Sequence, residues 1–151
     1  MRASVLQLKR QPHVAAKLVS LLVATAQRAP LNQSKVIIPV PLYPEREKRR
    51  GFNQAAEIAQ ALASELQLPL NMQSLVRVTA ATKYRAGLDA KGRLDTVADA
   101  FEVRVPRLIE NENILLVDDV FTTGATASSC ASSLLAAGAR SVNVLTLARP
   151  A

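Results

Sequence analysis

The sequence predicts an α/β fold, with a central, mainly parallel sheet flanked by helices. Three observations carry this expectation. Two short apolar runs, residues 35–40 (Lys-Val-Ile-Ile-Pro-Val) and residues 114–117 (Ile-Leu-Leu-Val), have the length and β-branched content of strands buried on both faces. Each run is followed by a polar loop and then by a segment with helical spacing, the alternation expected of β-loop-α units. Hydrophobic residues make up 49% of the chain and aromatics only 3%, so the core must be built from Ala, Val, Leu and Ile. At 151 residues the chain predicts one domain, residues 1–151, large enough to bury roughly 68–70% of its unfolded surface.

Taken in order, residues 12–28 read as a helix with Pro12 in its first turn, and Val14, Leu18, Leu21, Leu22 and Thr25 trace one face. Lys9, Arg10 and Lys17 before the apolar run from Leu18 to Ala24 also mimic a targeting signal, with Ala24-Thr25-Ala26 as a small-residue cleavage site. The helix is preferred because the strand that follows needs a covering element. That strand, residues 35–40, ends at Pro39 and Pro41, where proline cannot feed a central ladder. A basic loop with Arg46, Lys48, Arg49 and Arg50 then enters a helix whose packing face is Ile58, Leu62 and Leu66, with Ala55 and Ala59 beside them and Pro69 as its stop. Residues 74–79 read as a third strand. Residues 80–99 are polar and aperiodic, long for a loop in a compact domain, which predicts a lid or insertion. A short strand near residues 101–105 and a last strand at residues 141–147 are expected to complete the sheet.

The chemistry concentrates after the second apolar run. Asp118 and Asp119 end it, and Thr122-Thr123-Gly124-Ala125-Thr126 leads into an alanine-rich segment, with Ala127, Ala131, Leu134 and Leu135 at helical spacing up to Gly138. In parallel α/β sheets ligands bind outside the carboxyl ends of strands. A loop of small hydroxyl residues there offers backbone N–H groups, hydroxyl donors and a helix-dipole end to a phosphate. Gly124 permits a close backbone approach or positive φ. The two acids beside it can accept from sugar hydroxyls or hold Mg²⁺. Together these features predict a site for a phosphorylated sugar; the plainer alternative is an acidic turn whose Thr123 or Thr126 merely caps the helix. A P-loop is excluded: Gly87 and Gly92 have the glycine spacing, but Arg93 follows where the motif needs Lys. The Asp-x-Asp strand end of haloacid-dehalogenase-like phosphatases is also absent, since the acids here are adjacent.

The string Val117-Asp118-Asp119-Val120-Phe121-Thr122-Thr123-Gly124-Ala125-Thr126 resembles the phosphoribosyl pyrophosphate (PRPP) motif of type I phosphoribosyltransferases. Pro39-Val40-Pro41-Leu42 and Arg50-Gly51-Phe52-Asn53-Gln54-Ala55 narrow the resemblance to the ComF family of bacterial competence proteins. It covers nearly the whole chain from about Val5, and implies a type I phosphoribosyltransferase fold with a flexible hairpin inserted at residues 80–99. It further implies that Asp118 and Asp119 contact the ribose hydroxyls and hold Mg²⁺. On the same grounds, Thr122 to Thr126 wrap the 5′-phosphate, and Val40, Pro41, Arg46 and Arg50 bind pyrophosphate. The hairpin matches at Thr82, Gly87-Leu88, Arg93 and Ala100-Phe101, and departs at Arg85, where Gln is usual, and at Thr96, where Asn is usual. Family members usually begin with a Cys-x-x-Cys zinc module. None stands before Val5 here, so either a shortened member or a start upstream of Met1 is expected.

The net charge of +7 is unevenly placed, with no Asp or Glu in residues 1–44. A basic surface suits nucleic acid and a polyphosphate equally, but so few aromatics disfavour single-strand binding by base stacking. Cys130, the one cysteine, excludes an internal disulfide and any cysteine-rich zinc site within this chain; like His13, it reads as structural. No uncharged run is long enough to span a membrane, and a cytoplasmic protein is expected. The expected activity is Mg²⁺-dependent transfer of the 5-phosphoribosyl group from PRPP, with release of pyrophosphate, to an acceptor that no residue identifies. The rival expectation is a non-catalytic PRPP-sensing or DNA-uptake protein that keeps the fold. Type I enzymes are often dimers, but no exposed apolar stripe commits this chain to a homodimer.

Overall fold

The computed structural model describes residues 14–78 and 100–149. Strand β4 (Asn113–Val120) is its axis. It pairs in parallel with β1 (Val36–Pro39) on one side and with β5 (Ser141–Ala148) on the other. The register sets Val36 beside Ile114 and Pro39 beside Val117, and Val117 beside Leu145. Ile114 to Val117 are fully buried, as a strand covered on both faces requires. Pro39 is tolerated inside β1 for a local reason. Two residues earlier, the Ile37 N–H points away from β4, to the Pro69 carbonyl at 2.9 Å, so the donor that Pro39 lacks belongs to the outer side and not to the β1–β4 ladder.

Alternation along the strands divides the core into two layers. Ile37, Leu115, Val117, Leu145 and Leu147 face α1 (Ala16–Ala26) and α3 (Gln54–Leu66), meeting Leu22, Ile58 and Leu62. Val36, Ile38, Ile114 and Leu116 face α4 (Ala125–Ala136) through Cys130 and Leu134. Against this second face also lies a two-stranded antiparallel ribbon, β2 (Leu75–Arg77) with β3 (Phe101–Val103). The expectation that residues 74–79 and 101–105 complete the main sheet is therefore corrected. They pair with each other, and among the described residues the main sheet has three strands.

Other elements refine the sequence reading. On α1 the buried line runs through Leu22 and Ala26, with Val14 and Leu18 packed beside it, whereas Leu21 is 60% exposed and Thr25 turns its hydroxyl back to the Leu21 carbonyl. The predicted face thus included two exposed residues, Leu21 and Thr25. The basic stretch is a short helix, α2 (Pro44–Arg50), and not a loop. Pro44 opens it, Glu45 and Glu47 sit near its positive end and Lys48 to Arg50 near its negative end, and Gly51 closes it at φ 82°. Helix α3 is capped by Asn53, whose Oδ1 accepts from the Ala55 N–H at 3.0 Å, and ends at Gln67 in a left-handed conformation two residues before Pro69. Residues 80–99, with Thr82, Arg85 and Arg93, lie outside the described residues. No helix among the described residues is long and apolar enough to cross a membrane.

Replacing Leu115, fully buried at the centre of β4, by alanine removes packing against the α1–α3 layer. The expected loss is about 3 kcal/mol, read as a lower midpoint in urea unfolding with an unchanged slope.

Candidate functional site

Because β1 and β4 run parallel, the segments that follow them emerge at the same edge of the sheet. A cleft of about 310 Å³ lies there. Strand β4 brings Asp118 and Asp119 to it, and the loop and helix start beyond bring Thr122 and Thr126. The end of β1 supplies Val40 and Pro41, and α2 supplies Arg46 and Arg50. Residues predicted from two separate stretches of sequence thus converge on one surface. Thr123, Gly124 and Ala125 belong to the same loop but do not line the cleft. Thr123 Oγ1 accepts from the Ala125 N–H at 3.3 Å, a local turn contact, while the N-cap of α4 is Gly124, without a side-chain cap bond. Gly124 sits at φ 79°, which favours glycine, and a Cβ there would come within 2.6 Å of the far end of the Phe121 ring, which would have to shift.

Three further residues at the cleft were not assigned roles from sequence. Asn53 donates from Nδ2 to the Val40 carbonyl at 3.0 Å while capping α3, so one buried amide fixes both the β1 exit and the helix start. Gln54 follows it, and its Oε1 accepts from Arg50 Nη1 at 3.0 Å. Arg77, from the β2–β3 ribbon, stacks its guanidinium 5.2 Å from the centre of the Phe101 ring. Its signal in sequence was faint: a cation between two valines reads as the solvated side of a strand. A larger cavity, about 480 Å³, opens near Lys35 and Glu112, where β1 and β4 begin. It holds none of these groups and lies at the wrong end of a parallel sheet for a ligand site.

The acids are not loop residues. Strand β4 continues through them, with Asp118 paired to Thr146, so they inherit the rigidity of the sheet. Asp118 Oδ1 accepts from the Asp119 N–H at 2.8 Å. Burial pushes the Asp118 carboxyl up to about 7, the neighbouring Asp119 charge adds to the rise, and the Asp119 N–H and Arg77 oppose it. Burial also lowers Arg77 from its usual value, with Arg46 acting in the same direction, while Asp118 favours its charged form. Cys130, beneath them in the core, has its thiol pushed up by burial and by Asp118, and is no nucleophile. Among the described residues no three metal-binding side chains cluster. Two adjacent hard-oxygen carboxylates fit a Mg²⁺ shared with phosphate oxygens, which is the common way this ion is held.

A carboxyl that keeps its proton to higher pH in the folded chain than in the unfolded one lowers stability as pH rises, here between about pH 4 and pH 7. Asp118→Asn is therefore expected to be more stable than the wild type near pH 8 in metal-free buffer, by on the order of 2 kcal/mol, and to match it near pH 3.5. Chemical denaturation at the two pH values measures the difference.

No protein-family model matches the chain. Individual proteins do. Competence protein F of Haemophilus influenzae is 38% identical over 89% of this chain and 59% of its own length. DNA utilization protein YhgH of Salmonella typhimurium is 37% identical over 95% of this chain and 64% of its own. Competence protein ComFC of Bacillus subtilis is 36% identical over 76% and 44%. The chain thus spans less than two thirds of the length of these relatives. Among solved structures, it is similar to glutamine PRPP amidotransferase from B. subtilis, with a TM-score of 0.57 and 18% identity over 89% of this chain and 26% of that one. It is also similar to the purine phosphoribosyltransferase of Pyrococcus horikoshii, with a TM-score of 0.55 and 16% identity over 88% and 70%. Sequence similarity to the competence proteins relates the chain to the ComF family, and structural similarity to these enzymes shows the type I phosphoribosyltransferase fold.

Proposed function

We propose that the cleft binds PRPP with Mg²⁺ and that the chain transfers its 5-phosphoribosyl group to a nitrogenous acceptor. The observation that carries this reading is the meeting, in one cleft, of an acid pair, a hydroxyl-rich loop before a helix, and the guanidiniums of Arg46, Arg50 and Arg77. PRPP has a matching division of parts: a ribose with two hydroxyls, a 5′-phosphate and a pyrophosphate. Asp118 and Asp119 would accept from the 2′ and 3′ hydroxyls. Thr122 and Thr126, with the positive end of α4, would hold the 5′-phosphate, whose remote binding energy positions the reacting carbon. Arg46 and Arg50 would stabilise the charge on the departing pyrophosphate.

In the reaction, the acceptor's lone pair bonds to C1 of the ribose as the C1–O bond breaks, and pyrophosphate leaves with the electron pair. Positive charge grows on the ring meanwhile. The acid pair lies where its negative potential would favour that charge. Bound Mg²⁺ would supply further neutralisation of the pyrophosphate oxygens.

A second reading has its own support. The relatives carry the names competence protein and DNA utilization protein, which favours a PRPP-sensing or DNA-uptake role on the same fold without turnover. Calorimetric titration of PRPP with Mg²⁺ tests the shared part of both readings. The wild type is expected to bind, and an Asp118→Asn/Asp119→Asn double variant to bind about 100-fold more weakly, since each charged hydrogen-bond partner contributes roughly 1.5 kcal/mol. Pyrophosphate release on adding nucleobases then separates transferase from sensor. A folded wild type that leaves PRPP unbound sinks the transferase and PRPP-sensing readings and leaves the DNA-uptake role standing.

A further inference from the structure

One buried donor at the cleft has no partner among the described residues and no task so far. Gln54 opens α3, lines the cleft and is only 2% exposed. Its Oε1 accepts from Arg50 Nη1, which fixes the orientation of the amide, because the reverse would set two donors against each other. That leaves Nε2, a buried donor, with no hydrogen-bond partner among the described residues. Buried donors are nearly always satisfied, and an exception at a ligand cleft is a donor that a ligand's acceptor can fill.

The surroundings define that acceptor. Gln54 is the first residue of a 13-residue helix and so sits at the positive end of its dipole. The Ala55 N–H is already taken by Asn53 Oδ1, so that helix donor is not open to a ligand. Arg50 touches Gln54, and Arg46 lies on the same short helix and lines the same cleft. This part of the cleft therefore offers donors and positive charge. An anion with several acceptor oxygens can occupy the arginines and a carboxamide together, and the pyrophosphate of PRPP provides them.

We infer that Gln54 contacts the ligand directly, donating from Nε2 to a pyrophosphate oxygen. The inference deepens the PRPP reading and rests on it for the identity of the whole ligand. Arg50 has two duties in this arrangement: it orients the amide and contributes charge to the same anion.

Inorganic pyrophosphate and ribose 5-phosphate, each titrated with Mg²⁺ into the wild type, Gln54→Met and Gln54→Glu, test it, with thermal melts to verify folding. Gln54→Met removes the donor without adding charge and is expected to weaken pyrophosphate about 10-fold. Gln54→Glu adds a repulsive carboxylate and is expected to weaken it about 100-fold. Ribose 5-phosphate should bind all three proteins within about twofold. Pyrophosphate affinity unchanged in both folded variants overturns the role of Gln54, while intact ribose 5-phosphate binding leaves the PRPP reading standing. Equal losses for both probes reassign Gln54 to the shape of the cleft and overturn the inference as well. Pyrophosphate loss in the variants, with a wild type that ignores ribose 5-phosphate, upholds Gln54 and overturns the PRPP reading instead. A wild type that binds neither probe overturns both.

Discussion

The parallel pairing of β4 with both of its neighbours is the constraint on which the rest of the structure depends. Parallel strands cannot be joined by tight hairpins, so the chain must cross a face of the sheet between them, and helices cover both faces as a result. The same pairing sends the segments after β1 and β4 to one edge. Residues separated by some seventy positions, Arg46 and Asp118 among them, meet there without any contact designed for the purpose. Burial of Ile114 to Val117 on both faces supplies the rigidity, and the acid pair that follows continues the same strand. The site is thus positioned by the core and decorated by the loops, with Asn53 tying the β1 exit to the start of α3.

Charge at the cleft is unevenly divided, and the division has consequences. Arg46, Arg50 and Arg77 gather there with Asp118 and Asp119. Desolvation works against the charged forms of both Asp118 and Arg77, while their mutual attraction works in favour of each. The balance leaves Asp118 readily protonated and Arg77 weakened but cationic, a poise that an incoming anion or metal ion would shift strongly. An Mg²⁺ beside the acids would favour the carboxylate form, since the ion's charge outweighs the repulsion between neighbouring carboxylates. On the proposed reading, ligand, metal and protonation state would therefore be linked at this cleft.

Much of this was readable from the sequence, for physical reasons that vary by element. Strands β1 and β4 announce themselves because a strand buried on both faces must be apolar throughout, and α3 because Asn53 caps it and Ile58, Leu62 and the alanines repeat at helical spacing. The continuation of β4 through two acids was not readable, since charge next to a buried run looks like a loop. Only its pairing with β5 as far as Ala148 settles it. The β2–β3 ribbon was placed in the wrong sheet, because three-residue strands carry no pattern that names their partner. Arg77 and Gln54 were missed as site residues for a related reason. Their importance comes from what lies across from them in space, and neither residue type nor spacing encodes that.

Whether the cleft turns over its ligand or only senses it bears on why Asp118 is where it is. A sensor needs affinity, and affinity can come from the phosphate contacts alone, far from the reacting carbon. Catalysis needs interactions that strengthen as charge develops, and these must sit beside the ribose. Asp118 is the costly residue of this site: buried, crowded by Asp119 and pushed toward its neutral form at the expense of the fold. A chain that only held phosphates could replace it with a neutral residue and gain stability. Its presence, in a strand otherwise built for burial, fits a group that contacts the ribose, a contact that the transferase and PRPP-sensing readings share.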